Sequence, residues 1–294
     1  MSEAHSIVDY DPYPILFHYT SLNSFEKILT NGSLKLFDIT KSNDPQEGMF
    51  ILECLEAAFK DLYEYTDAKY LFAHMLMFEF KEDLLTDGRT SELVLATCFC
   101  EPRHQLYLWR CYGDNGKGVS LGFSKDALIE FASKTDGMEF KQITYYSRDD
   151  LVELCKKKWI EFFSNNPISD KGDIVITDAY KSWMSDLYYS GYFMKEDIHK
   201  DEHEFRLLYR PGINLTDYIL IQLKDATTDD IQFNFNSQGC NFSFDLNLRE
   251  NRALLNDCVI GPTCPLGIRE LQYILCKCSL NDTNVDKASW IKMR

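Results

Sequence analysis

Between residues 149 and 248 the spacing of apolar side chains changes period, and that change limits the folds open to this chain. Leu151, Leu154, Cys155, Trp159 and Phe162 recur at helical spacing, as do Tyr180, Trp183, Met184, Leu187 and Tyr188, with the polar link SNNPISDKGD between the two stripes. The segments that follow, His203 to Tyr209, Tyr218 to Leu223, Ile231 to Phe235 and Phe242 to Leu248, read as strands. A helical block followed by a strand-rich block predicts an α+β fold.

The first half mixes both periods. A strand over Ile15 to Thr20 leads into a helix carrying Leu22, Phe25, Ile28 and Leu29, which Asn31-Gly32 stops. A short strand, Leu34 to Phe37, comes next, and Asn43-Asp44-Pro45 predicts the start of a helix through Ile51, Leu55, Ala58, Phe59 and Leu62. After a polar break near Asp83 to Glu92, a strand over Leu93 to Phe99 and a helix over Gln105 to Tyr112 are expected. The turn GDNGKG, a strand through Val119, Leu121 and Phe123, and a helix capped by Ser124 follow. DCVIGP and a helix over Ile268 to Cys278 close the chain. With 294 residues and no internal repeat, one domain over 1–294 is expected, with helical insertions near 50–90 and 149–198.

Charge and cysteine usage narrow the function classes. The formal charge of −15 opposes non-specific nucleic-acid binding, and the longest basic run, Lys156-Lys157-Lys158, reads as a solvated helical face. MSEAHSIVDYDPYP is neither a secretory signal nor a transit peptide, and the apolar stretch Leu71 to Phe80 is too short to span a bilayer. A cytoplasmic location with no membrane partner is therefore expected. The ten cysteines are expected to stay reduced, and no Cys-x-x-Cys pair or His-Glu-x-x-His pattern predicts a metal.

The segment DEHEFRLLY carries the densest chemistry. Glu202, Glu204 and Arg206 alternate with His203, Phe205 and Leu207, so on a strand the three ionic side chains share one face. Two readings stay open: an edge strand with an outward Glu/Arg ladder, or a site. His18 to Ser21 (HYTS) forms a second polar cluster where the first strand meets its helix, and LWRCYGDNGKG a third, with Trp109 and Tyr112 three apart. Lys117 between two glycines lacks the Walker spacing, and neither G-x-G-x-x-G nor G-x-S-x-G occurs.

In order, His-Tyr-Thr-Ser on a first strand, Asn43-Asp-Pro-x-Glu47, Cys-Phe-Cys, Trp109-x-x-Tyr112, Lys117-Gly118, Glu202-x-Glu204-x-Arg206 and Val259-Ile260-Gly261-Pro262 resemble a widespread bacterial family of unknown function. The same layout is similar to a divergent ADP-ribosyltransferase fold with a split β-sheet core. That resemblance implies NAD as the substrate, contacted by His18, Tyr19, Thr20, Asn43 and Trp109 or Tyr112. It implies Glu204 as the catalytic acid, Glu202 as the group orienting the acceptor, and Arg206 as partner of Glu204 or of the NAD pyrophosphate. The acceptor would be a protein or a nucleic acid, the setting a toxin or anti-phage effector, and an antitoxin or operon partner is implied with it. The competing expectation is a non-catalytic sensor or binding module.

Overall fold

The computed structural model describes residues 14–42, 48–63, 71, 74–75, 77–78, 85–86, 89–90, 93–101, 106–166, 178–212, 230–236 and 239–288. In chain order the elements are β1 (Ile15–Thr20), α1 (Leu22–Asn31), β2 (Ser33–Asp38), α2 (Met49–Leu62), β3 (Leu85–Thr86), β4 (Arg89–Thr90), β5 (Leu95–Cys100) and α3 (Leu106–Cys111). They continue with β6 (Val119–Ser124), α4 (Lys125–Lys134), β7 (Met138–Gln142), β8 (Thr144–Tyr146), α5 (Arg148–Asn165), α6 (Asp178–Gly191), β9 (Met194–Glu196) and β10 (Glu204–Tyr209). The last are β11 (Ile231–Asn236), β12 (Gly239–Asn247), β13 (Leu255–Ile260), α7 (Ile268–Lys277) and β14 (Asn284–Lys287). The class is α+β, with both antiparallel and parallel strand pairs. The predicted strand Tyr218 to Leu223 and the predicted helix start at Asn43 lie outside the described residues.

The chain divides into two compact units. The first comprises Met1–Leu34, Cys98–Thr135 and Leu246–Arg294, the second Lys35–Thr97 and Asp136–Asp245.

In the first unit β1 and β6 pair antiparallel from Ile15↔Ser124 to Thr20↔Val119, β13 adds to β6, and β14 runs parallel to β13. Ser21 and Ser124 cap α1 and α4 by accepting from the backbone N–H of Ser24 and Ala127, which satisfies donors that a helix start leaves unpaired. Gly32 ends α1 in the left-handed region (φ 70°), where a side chain would collide with Arg249. The Arg249 guanidinium in turn donates to the carbonyls of Leu29 and Thr30, placing a cation at the negative end of that helix. Phe17, Tyr19, Cys100 and Val259 form one face of the strands, and Leu108 and Trp109 of α3 pack on it.

In the second unit α2, α5 and α6 build the helical layer and share a buried core. Its centre is Trp159, fully buried, whose Nε1–H donates to the Leu55 carbonyl at 3.1 Å. Phe163 stacks on that ring at 5.6 Å and Phe59 and Trp183 pack at 4.9 Å. Burying one such aromatic removes ~200 Å² from water, worth about 5 kcal/mol at ~25 cal/mol/Å². Gly191 is needed for the approach of α6 to α2, since a Cβ there would sit 2.2 Å from Ile51 Cγ2. β10 pairs antiparallel with β7, from Phe205↔Gln142 to Tyr209↔Met138, and β8 runs parallel to β9.

Candidate functional site

β10 begins at Glu204, and all six of its residues are buried. Glu204 and Arg206, two apart on the strand, point the same way. The Arg206 guanidinium, 1% exposed, donates from Nε at 3.0 Å and from Nη2 at 2.7 Å to Glu204 Oε1, and its Nη1 donates to the Tyr192 carbonyl. The other oxygen, Glu204 Oε2, lies 2.7 Å from Lys195 Nζ, and the same ammonium reaches Glu202 Oε2 at 3.0 Å. Among the described residues, two carboxylates, one guanidinium and one ammonium thus form an ionic quartet inside the second unit. Such a group survives burial only because each charge is compensated in place.

The local backbone explains how Glu202 joins. It ends a 3-10 helix, Asp197–Glu202, and His203 adopts a left-handed conformation (φ 44°, ψ 49°) before β10 starts. The sequence expectation of one strand carrying Glu202, Glu204 and Arg206 on a single face is corrected here: the strand is shorter, and Lys195, not strand alternation, joins the two glutamates. The outward ladder is corrected as well, because the ionic face is buried. At the start of β10 the Glu204 N–H donates to Tyr145 Oη at 2.9 Å, and burial raises the Tyr145 phenol pKa, so the ring stays neutral. Sequence reasoning missed Lys195 and Tyr145. Neither sits at a spacing that marks it; they enter because β8 and β9 pair Tyr145 with Lys195.

The remaining predicted residues divide as follows. In the first unit His18 is half-buried, and its Nδ1–H donates to the Cys98 carbonyl at 2.9 Å. Burial lowers its pKa from 6.5, against the opposing effect of that hydrogen bond, so the ring is neutral at pH 7 and Nε2 is an acceptor. Thr20 is buried beside Val119. Tyr19 and Trp109 meet edge to face at 5.0 Å, and Trp109 has no exposed surface. Tyr19 is 7% exposed, and both rings belong to the buried cluster of the first unit. Tyr112 is 43% exposed. Asn43 lies outside the described residues.

The glycine-rich turn has a mechanical task. Gly118 lies so close to β1 that a Cβ would be 2.0 Å from the Thr20 carbonyl oxygen, and Gly261 is pressed equally against the Gly116 carbonyl. The N–H groups of Gly116 and Gly118 donate to the Gly113 carbonyl and that of Lys117 to Asp114, leaving none of the three for a phosphate. None of the ten cysteines forms a disulfide. Among the described residues no cluster of three or more His, Cys, Asp or Glu could hold a metal, and no helix is long and apolar enough to cross a membrane.

The fold and the quartet define an α+β protein with a buried ionic centre beside its helical layer. Residues 108–207 match the model of a family described as a protein of unknown function, DUF2971. That stretch contains Trp109, the glycine turn, Tyr145, Lys195 and the Glu202/Glu204/Arg206 group. No curated protein and no solved structure matches the chain.

Proposed function

We propose that this chain is an NAD-consuming ADP-ribosyltransferase acting on a macromolecular acceptor, with Glu204 as its acid. The observation that carries this reading is a carboxylate fixed at the start of β10 between two cations, Arg206 and Lys195. Both cations hold the carboxylate in place by direct contact, and a fixed carboxylate is what the reaction asks for. The bond from ribose C1′ to the nicotinamide nitrogen breaks with its electron pair leaving on nicotinamide. C1′ becomes oxocarbenium-like, and a nucleophile of the acceptor forms the new bond and gives up its proton. A carboxylate beside the ribose stabilises that cation and accepts a hydrogen bond from a hydroxyl. Glu202, tied to Glu204 through Lys195, is the group to orient the acceptor. The motif order read in the sequence supports the same assignment.

A second reading has its own observation. Because these side chains pair with one another and each is at most 11% exposed, the group also suits a non-catalytic binding module in which it braces β9 against β10. The deciding experiment incubates wild type and Glu204→Gln with NAD labelled in its ADP-ribose part and cell lysate, following nicotinamide release and label transfer. Turnover by wild type and its loss in a folded Glu204→Gln protein support the transferase. No turnover by wild type across lysates sinks it and leaves the binding module. Growth arrest on expression of wild type, relieved by Glu204→Gln, would extend the transferase reading to a toxin or defence effector.

A further inference from the structure

A second feature of the helical layer is independent of the ionic quartet. Between α5 and α6 lies a cavity of about 360 Å³, within the ~300–1,000 Å³ range of small-ligand sites. Its lining is almost wholly apolar. Cys155 on α5, Trp183 and Leu187 on α6 and Met194 on β9 contribute to it. Cys155 is 1% exposed, and burial pushes its thiol up to about 12, so it lines the cavity as a small apolar group and not as a nucleophile. Trp183 is held by Phe162 at 4.6 Å and Trp159 at 4.9 Å, which gives the cavity a fixed indole wall.

Two charges interrupt this lining, one from each helix: Lys158 on α5 and Asp186 on α6, both exposed. Lys156, two residues earlier on the same helix, is committed to Asp61 and Glu153, whereas Lys158 and Asp186 form no ion pair with any described residue. An apolar chamber bordered by one cation and one anion complements a molecule with an apolar body and both charges on its head.

We infer that the α5/α6 cavity is a binding site for a hydrophobic α-amino acid, with its side chain against Trp183, its carboxylate at Lys158 and its ammonium at Asp186. The site is separate from the quartet: along β9, Met194 faces the cavity while the next residue, Lys195, turns to Glu202 and Glu204, as alternation on a strand requires.

The test titrates the full chain with L-leucine, L-methionine, L-phenylalanine and L-tryptophan by calorimetry, with tryptophan fluorescence as a second readout for the first three. N-acetylphenylalanine and phenethylamine, each lacking one head charge, serve as controls. Saturable binding of at least one amino acid is expected, weakened about tenfold or more when either head charge is removed or in Lys158→Ala or Asp186→Ala. Both substitutions are at exposed positions, and unchanged thermal unfolding without ligand confirms that the fold persists. Leu187→Trp, which fills the cavity, is expected to abolish binding. No saturable binding by any of the four amino acids overturns the inference. So does binding that is indifferent to both rim substitutions, or equal binding by the two controls.

Discussion

Removing the guanidinium of Arg206 tests whether the quartet is the buried, mutually compensated unit described above. Arg206→Met keeps a long unbranched stem and deletes one of two cations. Among the described residues Glu204 keeps Lys195, which also pairs with Glu202, so a carboxylate loses its guanidinium where Arg206 was 1% and Glu204 2% exposed. The Tyr192 carbonyl loses its donor as well. Deleting one partner of a buried pair costs about 3–5 kcal/mol, a large part of the ~5–15 kcal/mol that holds a typical domain together. Urea denaturation at pH 7, followed by tryptophan fluorescence, measures the loss.

The charge argument makes a further demand on that experiment. Adding Glu204→Gln removes the carboxylate that lost its guanidinium and leaves Lys195 paired with Glu202, so the double variant must be more stable than the sum of the single losses predicts, by about 1–3 kcal/mol. A loss below about 1 kcal/mol for Arg206→Met, or strict additivity in the double variant, would refute the reasoning.

Four other expectations follow from the geometry. His18 has its pKa lowered from 6.5 by burial, so the unfolded chain binds more protons between the folded pKa and 6.5. Stability conferred by the neutral ring is therefore complete above pH 6.5 and lost as pH falls through that window, and His18→Gln should flatten this part of a stability-versus-pH curve. Gly118→Ala forces a Cβ onto the Thr20 carbonyl and should lower stability by at least ~1–3 kcal/mol in chemical denaturation. Trp159→Ala removes the centre of the aromatic cluster and the hydrogen bond to Leu55, an expected loss of ~3–5 kcal/mol in the same assay. With a thiol reagent on the native protein, Cys98, Cys111 and Cys276 should react quickly, while Cys54, Cys155 and Cys258, buried with raised pKa values, should react only on unfolding.

Most of the local elements were legible because their signals are local. β1 spans the predicted residues, α1 stops at the predicted glycine, Ser124 caps α4, and the two helical stripes became α5 and α6. β3, β4, β7, β8, β9 and β14 were not read. β7 and β8 are short and border a long helical stripe, and β14 is a strand only by its register with β13. The helix α2 begins after Gly48, which takes a left-handed φ of 76° beside Tyr192, a contact with a residue far along the chain.

For the candidate site, composition and spacing determined that Glu204 and Arg206 lie on one side of a strand, since alternation follows from backbone geometry alone. Whether that side faces water or protein was decided by tertiary structure, because burial depends on what the rest of the chain packs against it. The partners of the charges were decided the same way: Lys195 meets both glutamates only after β9 pairs with β8 and the turn at His203 brings Glu202 back. Pair interactions between residues distant in sequence leave no periodic trace, so the sequence by itself determined the ionic strand, and the fold alone made it a buried quartet.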